Sequence, residues 1–336
     1  MTGNTYTYSQ LSSKSVGRMV AYQYGLDHEL SCRFYVLGLH DNYLIESHGQ
    51  KYIFRIYRNN WRSEEEIMFE LEWLEFLNSQ TCLVAKLIKT KKGDLIFQID
   101  SPEGTRLAAM FHYADGNAPG NTINSNEAKL LGGTIANIHN LSDEFIPRHS
   151  RQALDIPYLL DSSLNDIEPY LDNSEYAYLS NLGQQLNTAM PRLDKALGVY
   201  GLCIGDVNPT NFHIDNNKIT VFDFDQCGYG YRAFEIGKFF SSVRNHDKKF
   251  EIQEAFLKGY QSIRPLNQIE QEAIPLFEII SVIWVMAIQV ANADRIGFKY
   301  LEKSYWNRRL GDLKQLVSSW NNKPSQPRPK NDAAEL

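Results

Sequence analysis

The first third of the chain alternates apolar and polar residues over short runs, which is the pattern of β-strands. Strands are predicted at residues 34–37, 43–47 and 52–57, and a hairpin from residues 95–99 and 106–113. Ser63, followed three residues later by Glu66, forms a capping-box pattern that opens a helix. This helix carries an apolar stripe with the carboxylate of Glu70 beside it.

Beyond residue 113 the apolar residues recur at helical spacing. Helices are predicted at residues 126–140, 176–197, 248–264, 268–293 and 305–320, and the only clear strand pair there spans 212–224. The pattern predicts an α+β fold, with a β-rich lobe containing one helix at residues 1–112 and a helical lobe at 113–320. Residues 321–336, rich in Pro, Asn and Lys, are predicted to form a flexible tail.

The strand pair at 212–224 is predicted to be a hairpin with candidate metal-ligating residues at its open end. Tandem Asn216 and Asn217 suit a two-residue turn with positive φ. Pairing outward from that turn sets Asn211 against Phe222, so that Asn211 and Asp223 become neighbours. Two oxygen ligands at one end of a rigid ladder suit a small hard cation such as Mg²⁺.

Asp206 precedes this hairpin and completes the Asp-x-x-x-x-Asn … Asp arrangement found in kinases. Asp206 is therefore the predicted catalytic base or hydroxyl-orienting group, and Asn211 and Asp223 are the predicted metal ligands. The competing interpretation is an ordinary turn rich in Asn and Asp. Asp225 has two balanced interpretations, contact with a second metal or the substrate, or a role in holding the loop.

The composition narrows the class of protein. A formal charge of −6 argues against nucleic-acid binding, which relies on basic surface. The four cysteines lack metal-site spacing and indicate reduced thiols in a cytoplasmic protein. The apolar run at 279–293 is short for a membrane span and favours a buried helix, and the polar first residues do not resemble a signal peptide. No membrane association is therefore expected.

The motif at 205–211 (GDVNPTN), with FDFD at 222–225 and YGYRAFE at 229–235, resembles the aminoglycoside phosphotransferase and choline kinase-like superfamily. The resemblance covers about residues 30–320. Residues 55–62 and 291–297 look closest to the branch of homoserine kinase-like and bacterial stress-response Ser/Thr kinases. The resemblance implies a two-lobed protein-kinase-like fold and an activity that uses ATP and Mg²⁺.

The resemblance also implies roles for residues around the nucleotide. Arg55 is expected to contact the phosphates and to pair with Glu70, with Glu66 as the rival partner and a surface ion pair as the blander alternative. Asn42 lies where a loop covers the nucleotide. Residues 110–113, including Phe111 and Tyr113, are expected to connect the lobes and to pair with adenine through their backbone. Asn208, where many relatives have His, is a further candidate.

Departures from the family pattern keep a second function open. Ile204 stands where His is common, Arg55 stands where Lys is usual, and the nucleotide loop at 39–43 has no Gly-rich pattern. The first hypothesis is phosphoryl transfer to a hydroxyl, either of a small molecule such as an amino alcohol, aminoglycoside or homoserine-like compound, or of a protein Ser/Thr. The alternative is a pseudokinase that binds nucleotide or a protein partner. The protein is expected to be a monomer or homodimer.

Acidic residues are frequent in the insert at about 155–200, which lies where relatives build the acceptor pocket. They fit either a pocket for a cationic acceptor or a solvated helix surface.

Overall fold

A computed structural model describes residues 6–27 and 29–322, which form two lobes. The N-terminal lobe is built on a six-stranded antiparallel sheet in the order β1-β2-β3-β6-β4, with β5 pairing with β6. These strands are β1 (Ser31–Leu37), β2 (Asp41–Ser47), β3 (Gln50–Ile56), β4 (Leu87–Ile88), β5 (Phe97–Ser101) and β6 (Gly104–His112). The sheet ends at His112, beside the predicted boundary of the lobe.

Helices cover both faces of this sheet. α1 (Ser13–Tyr24) packs Val16 and Val20 on one face, against Tyr43 and Phe54. Successive strand residues point to opposite faces of a sheet. The strand residues that alternate with Tyr43 and Phe54 therefore belong to the other face, which is directed toward the second lobe. α2 (Glu64–Ser79) packs on that side, and its N-terminus has the predicted capping box. The strand pattern predicts one helix in this lobe, and α1 is a second.

The C-terminal lobe is helical, as predicted. Its helices are α3 (Ser125–Ser142), α4 (Ser163–Ile167), α5 (Asn173–Ala189), α6 (Arg232–Ser242), α7 (Lys249–Gln261), α8 (Gln268–Ala291), α9 (Ala293–Ile296) and α10 (Lys303–Asn321). α6 packs against α8, and α3 packs against α7. α8 is long and apolar enough to cross a membrane, but 72% of its most apolar window is buried in the lobe, which matches the buried-helix interpretation.

Two short ladders carry the loops of the C-terminal lobe. β8 (Phe212–Asp215) and β9 (Lys218–Val221) form the predicted hairpin in the predicted register, and both turn asparagines have positive φ. β7 (Tyr200–Cys203) pairs with β10 (Gly228–Tyr231), a ladder the apolar pattern does not predict because no local turn joins these two strands, which lie on either side of the β8–β9 hairpin in the sequence.

Several boundaries differ from the prediction. β9 ends at Val221 rather than residue 224, because Asp223 takes a left-handed φ of 65° that an extended strand does not allow. α5 ends at Ala189 rather than residue 197, and Pro191 follows, where helix is disfavoured. α6 was not predicted from periodicity. The predicted tail lies, from residue 323 onward, outside the described residues.

Candidate active site

Asp206 lies on the loop between β7 and β8, and donors from two elements hold its carboxylate. Asn211 Nδ2 donates to Asp206 Oδ2 at 2.9 Å and to the Asp206 backbone oxygen at 3.0 Å. Lys238 Nζ of α6 lies 2.6 Å from Asp206 Oδ1. The side chain of Asp206 is still 31% exposed. A carboxylate held at both oxygens but open on one side can receive a proton from an approaching hydroxyl.

A buried glutamate of α6 supports the start of this loop. Glu235 accepts hydrogen bonds from the backbone N–H groups of Ile204 and Gly205, the second at 2.9 Å. Burial raises the pKa of Glu235 to about 7, and His139 Nε2 lies 3.5 Å from its Oε2. The loop thus has a support of its own although Ile204 replaces the histidine common in the resembled family.

The position before Asp206 requires glycine. Gly205 has a φ of 81°, and a Cβ there would overlap the backbone oxygen of Gln226. The chain therefore turns sharply at this point, and the turn presents Asp206 at the loop's open side.

Asn211 and Asp223 are brought together by the hairpin, as the register predicts. Phe222 N donates to Asn211 O at 3.0 Å, and Asp223 follows immediately. The amide nitrogen of Asn211 faces Asp206, its Oδ1 accepts a 3.4 Å hydrogen bond from Thr210 Oγ1, and Asp223 Oδ1 lies 3.0 Å from Arg55. Amide and carboxylate oxygens are the types of ligand that Mg²⁺ prefers.

Arg55 connects the sheet, α2 and the metal-site candidates. Its guanidinium lies 3.5 Å from Glu70 Oε1 and 3.0 Å from Asp223 Oδ1, and Arg55 Nε donates to Asn42 Oδ1 at 3.3 Å. Glu66, the rival partner, instead caps α2 and lies 3.7 Å from Arg62. Arg55 and Glu70 are buried, so they are not a surface ion pair.

The electrostatics of this pair are dominated by burial. Burial raises the pKa of Glu70 to about 7 despite the nearby Arg55. Burial alone would lower the pKa of Arg55, but Asp223 and Glu70 raise it above its ordinary value. Arg55 is therefore a fixed positive charge at the face of the sheet that looks into the cleft.

Asp225 is buried and fully engaged. It accepts hydrogen bonds from Trp61 Nε1 at 2.9 Å and Gln226 Nε2 at 3.0 Å, and His40 Nε2 lies 3.0 Å away. Burial opposes its ionisation, but His40 and Arg62 hold the pKa of Asp225 well below its usual range. These contacts favour the loop-holding interpretation, and they join the β1–β2 loop to the C-terminal lobe.

Asn208 forms a local turn. Its Oδ1 accepts from Thr210 N at 2.9 Å, and its Nδ2 donates to Asp206 O at 3.2 Å. The side chain thus shapes the loop that carries Asp206.

Phe111 and Tyr113 lie where the lobes connect. The ring of Phe111 is 5.7 Å from the guanidinium carbon of Arg55, and Tyr113 Oη is 3.3 Å from Tyr35 Oη. The backbone N–H of Tyr113 donates to Lys51 O at 3.0 Å, and that of His112 to Lys86 O. Both backbone N–H groups are already bonded, so an adenine base could accept from either one only if its present bond broke. The predicted pairing with adenine is therefore left to the other backbone groups of residues 110–113.

The acidic insert does not converge on one pocket. Asp172 caps α5 and lies 2.6 Å from Lys303, which also lies 2.7 Å from Glu175. Asp155 accepts from Tyr158 N, and Asp161 accepts from Asn187. These contacts favour the solvated-surface interpretation of the insert.

Lys238 and Glu235 belong to the site but are not among the functional residues that the sequence predicts. They are three residues apart on α6, a spacing that puts both on one helix face. That spacing indicates a shared face only if the segment is a helix, and the apolar periodicity does not predict α6.

Comparison with known proteins agrees with this geometry. The chain is 35% identical over 315 residues to an uncharacterised protein of Synechocystis sp., covering 93% of this chain and 87% of that protein. The structure of a microcompartment-associated aminopropanol kinase matches with a TM-score of 0.77 and 22% identity, over 91% of this chain and 98% of that one.

An amicoumacin kinase solved with AMP-PNP, Ca²⁺ and Ami matches with a TM-score of 0.78 and 21% identity, over 94% of this chain and 96% of that one. These structures confirm the two-lobed kinase-like fold. Residues 34–269 match the family described as the phosphotransferase enzyme family. With the fold and the sequence in agreement, the chain belongs to the phosphotransferase enzyme family.

Proposed function

We propose that this protein transfers the γ-phosphate of ATP, in the presence of Mg²⁺, to a hydroxyl group of a small molecule. The observation that carries the proposal is the arrangement of Asp206, which is fixed by Asn211 and Lys238 yet open to solvent, next to the oxygen donors of Asn211 and Asp223. This arrangement meets the main needs of phosphoryl transfer, which are positioning and charge stabilisation.

The residues divide the work as follows. Asp206 orients the acceptor hydroxyl and receives its proton, while Arg55, held by Glu70, binds phosphate oxygens. Asn211 and Asp223 hold Mg²⁺, which when bound offsets the negative charge of the phosphates. Asp225 and Asn208 keep the loops in shape rather than touching the substrate. The reaction belongs in the cytoplasm, where ATP is supplied.

The pseudokinase alternative rests on Ile204, Arg55 and the nucleotide loop without a Gly-rich pattern. The first two grounds carry less weight, because Glu235 holds the loop at Ile204 and Arg55 reaches both Glu70 and Asp223. A small-molecule acceptor is favoured over protein Ser/Thr because the structural relatives named above are an aminopropanol kinase and an amicoumacin kinase. An amine-bearing alcohol is the first class to test.

The test is transfer of labelled phosphate from MgATP to a panel of amino alcohols, aminoglycosides, homoserine and protein substrates. Asp206→Ala should lower transfer by about 100-fold or more, since a positioned base contributes about that much. Asp223→Ala should abolish metal-dependent nucleotide binding.

The matched control is Asp215→Ala, an exposed aspartate at the turn of the same hairpin, which should retain wild-type transfer. If the wild-type protein transfers phosphate to no acceptor and hydrolyses no ATP, or if Asp206→Ala is as active as the wild type, the proposed function is wrong.

A further inference from the structure

We propose that Lys238 is a positioning residue for phosphoryl transfer, which aims the carboxylate of Asp206 and offsets its charge. This inference rests on the proposed function. Lys238 comes from α6, outside the catalytic loop and outside the motif that identifies it.

The geometry of Lys238 is that of a built contact. Its Nζ lies 2.6 Å from Asp206 Oδ1, while Asn211 holds Oδ2 from the other side. Only 5% of Lys238 is exposed. The donor pair restrains the rotation of the carboxylate, while the side chain of Asp206 stays 31% exposed to an approaching acceptor.

The burial of Lys238 argues for a purpose beyond stability. An ammonium loses hydration on burial, and replacing a whole buried ion pair by apolar residues of similar size often leaves a protein as stable or more stable. The carboxylate of Asp206 lies within ion-pair distance of Lys238 Nζ, at 2.6 Å. A buried cation whose ion-pair partner is the candidate base is placed to act through that base.

The helix that carries Lys238 is fixed relative to the catalytic loop. Glu235, one helical turn earlier, binds the loop backbone at Ile204 and Gly205. Lys238 binds the loop at the carboxylate of Asp206. Two residues of one rigid helix thus fix both the path of the loop and the direction of its functional group.

The chemistry needs such a group. As the acceptor oxygen bonds to the γ-phosphorus and the bond from phosphorus to the ADP oxygen breaks, the hydroxyl proton passes to Asp206. The anionic Asp206 must do this beside the anionic phosphates. Lys238 weakens that repulsion without touching the nucleotide, so it should affect turnover and leave nucleotide binding unchanged.

The experiment compares Lys238→Met, Lys238→Arg and a control, Ser241→Ala, a buried residue of the same helix whose hydroxyl donates to the backbone oxygen of Lys238. Lys238→Met should lower kcat by about 10- to 100-fold and leave the KM for ATP within about twofold. Lys238→Arg should recover part of the loss, and Ser241→Ala should behave as the wild type.

A double-mutant cycle shows whether Lys238 acts through Asp206. In an Asp206→Ala background, the added Lys238→Met change should cost no further activity in single-turnover assays. A further loss equal to that in the wild-type background would overturn the inference. So would unchanged kcat in Lys238→Met, or an effect confined to KM.

Failure of this inference is distinct from failure of the proposed function. If the wild type transfers phosphate and Asp206→Ala does not, but Lys238→Met is fully active, only the role of Lys238 is wrong. If the wild type transfers none, the function and this inference fail together. Should Lys238→Met fail to fold, Lys238→Arg and Lys238→Gln provide the same comparison.

Discussion

Two buried glutamates lie at the edges of the candidate active site, and different groups contact each of them. Glu70 faces Arg55, whereas Glu235 faces two backbone N–H groups and the ring of His139. Burial raises the pKa of each to about 7. In both cases the folded protein therefore binds a proton more readily than the unfolded chain does.

Glu235 provides a pH-dependent prediction. Its pKa is about 7 in the folded protein and 4.5 ordinarily, so between these values the folded state binds more protons than the unfolded state. The stabilisation from this group is fully present below about pH 4.5 and is lost as the pH rises through about 7. The free energy of unfolding of the wild type should therefore fall relative to Glu235→Gln over that range.

Urea denaturation of both proteins across this pH range measures the difference. Burial also holds the pKa of His139 well below its ordinary value, and His139 is present in both proteins, so the comparison isolates the contribution of Glu235. A difference that stays flat or increases with pH would contradict the assigned shift of Glu235.

The residues that could be located from sequence share one property, which is closeness along the chain. Asn211 and Asp223 flank a hairpin of two four-residue strands, whose turn and register follow from the local sequence. Lys238 reaches Asp206 only because α6 packs in one particular orientation. Local pattern does not determine that orientation, so the contact could not be predicted.

At the scale of elements, α6 links the loop that carries Asp206 to the core of the helical lobe. One part of it carries Glu235 and Lys238, and Gly237 between them faces α8. A Cβ on Gly237 would lie 2.7 Å from Glu278 N and 2.8 Å from the carbonyl carbon of Phe277. The close approach of the two helices thus depends on the missing side chain.

Gly237→Ala and Gly311→Ala form a matched pair of glycine substitutions inside helices. Gly311 of α10 has open space around its Cβ position, so alanine there should stabilise the protein by up to about 1 kcal/mol through helix propensity. At Gly237 overlap with α8 should outweigh propensity, with a net loss of about 1–3 kcal/mol.

Chemical denaturation measures both stabilities, and kcat should fall in Gly237→Ala alone because α6 carries Lys238. Equal effects of the two substitutions on stability would show that the spacing between α6 and α8 does not limit this position.

At the scale of the molecule, the lobes are joined by charged residues from distant parts of the chain. Asp41 at the start of β2 accepts from Arg106 at 2.7 Å, from Tyr8 Oη at 2.6 Å, and from Arg295 of α9. Arg58, next to β3, lies 2.8 Å from Asp294. The segments 55–62 and 291–297, noted for their resemblance to one kinase branch, therefore contact each other.

The pairing of these segments shows the limit of sequence reading at this scale. The two-lobed fold could be predicted because alternation and helical spacing separate along the chain. Arg58 and Asp294, however, are 236 positions apart, and only the finished fold brings them together. Nothing in the local sequence around either residue indicates which residue it contacts.

This interlobe contact predicts how the protein unfolds. Replacing both Arg58 and Arg295 by alanine removes the links between the sheet lobe and the segment after α8. Breaking one partner of a buried ion pair costs about 3–5 kcal/mol, and because Asp41 keeps Arg106 and Tyr8 we expect about 2 kcal/mol here. Since the loss falls between the lobes, calorimetry should resolve one transition in the wild type and two in the variant.

Arg33→Ala is the control, because its pair with Glu46 lies within one lobe and its side chain is 64% exposed. Exposed pairs contribute about 0–1 kcal/mol, so the control should unfold in one transition near the wild-type temperature. The double variant should also bind nucleotide more weakly, since looser lobes leave the cleft less ordered. A single transition with unchanged nucleotide affinity would mean that other contacts, such as those of His40 with Asp225, are sufficient to couple the lobes.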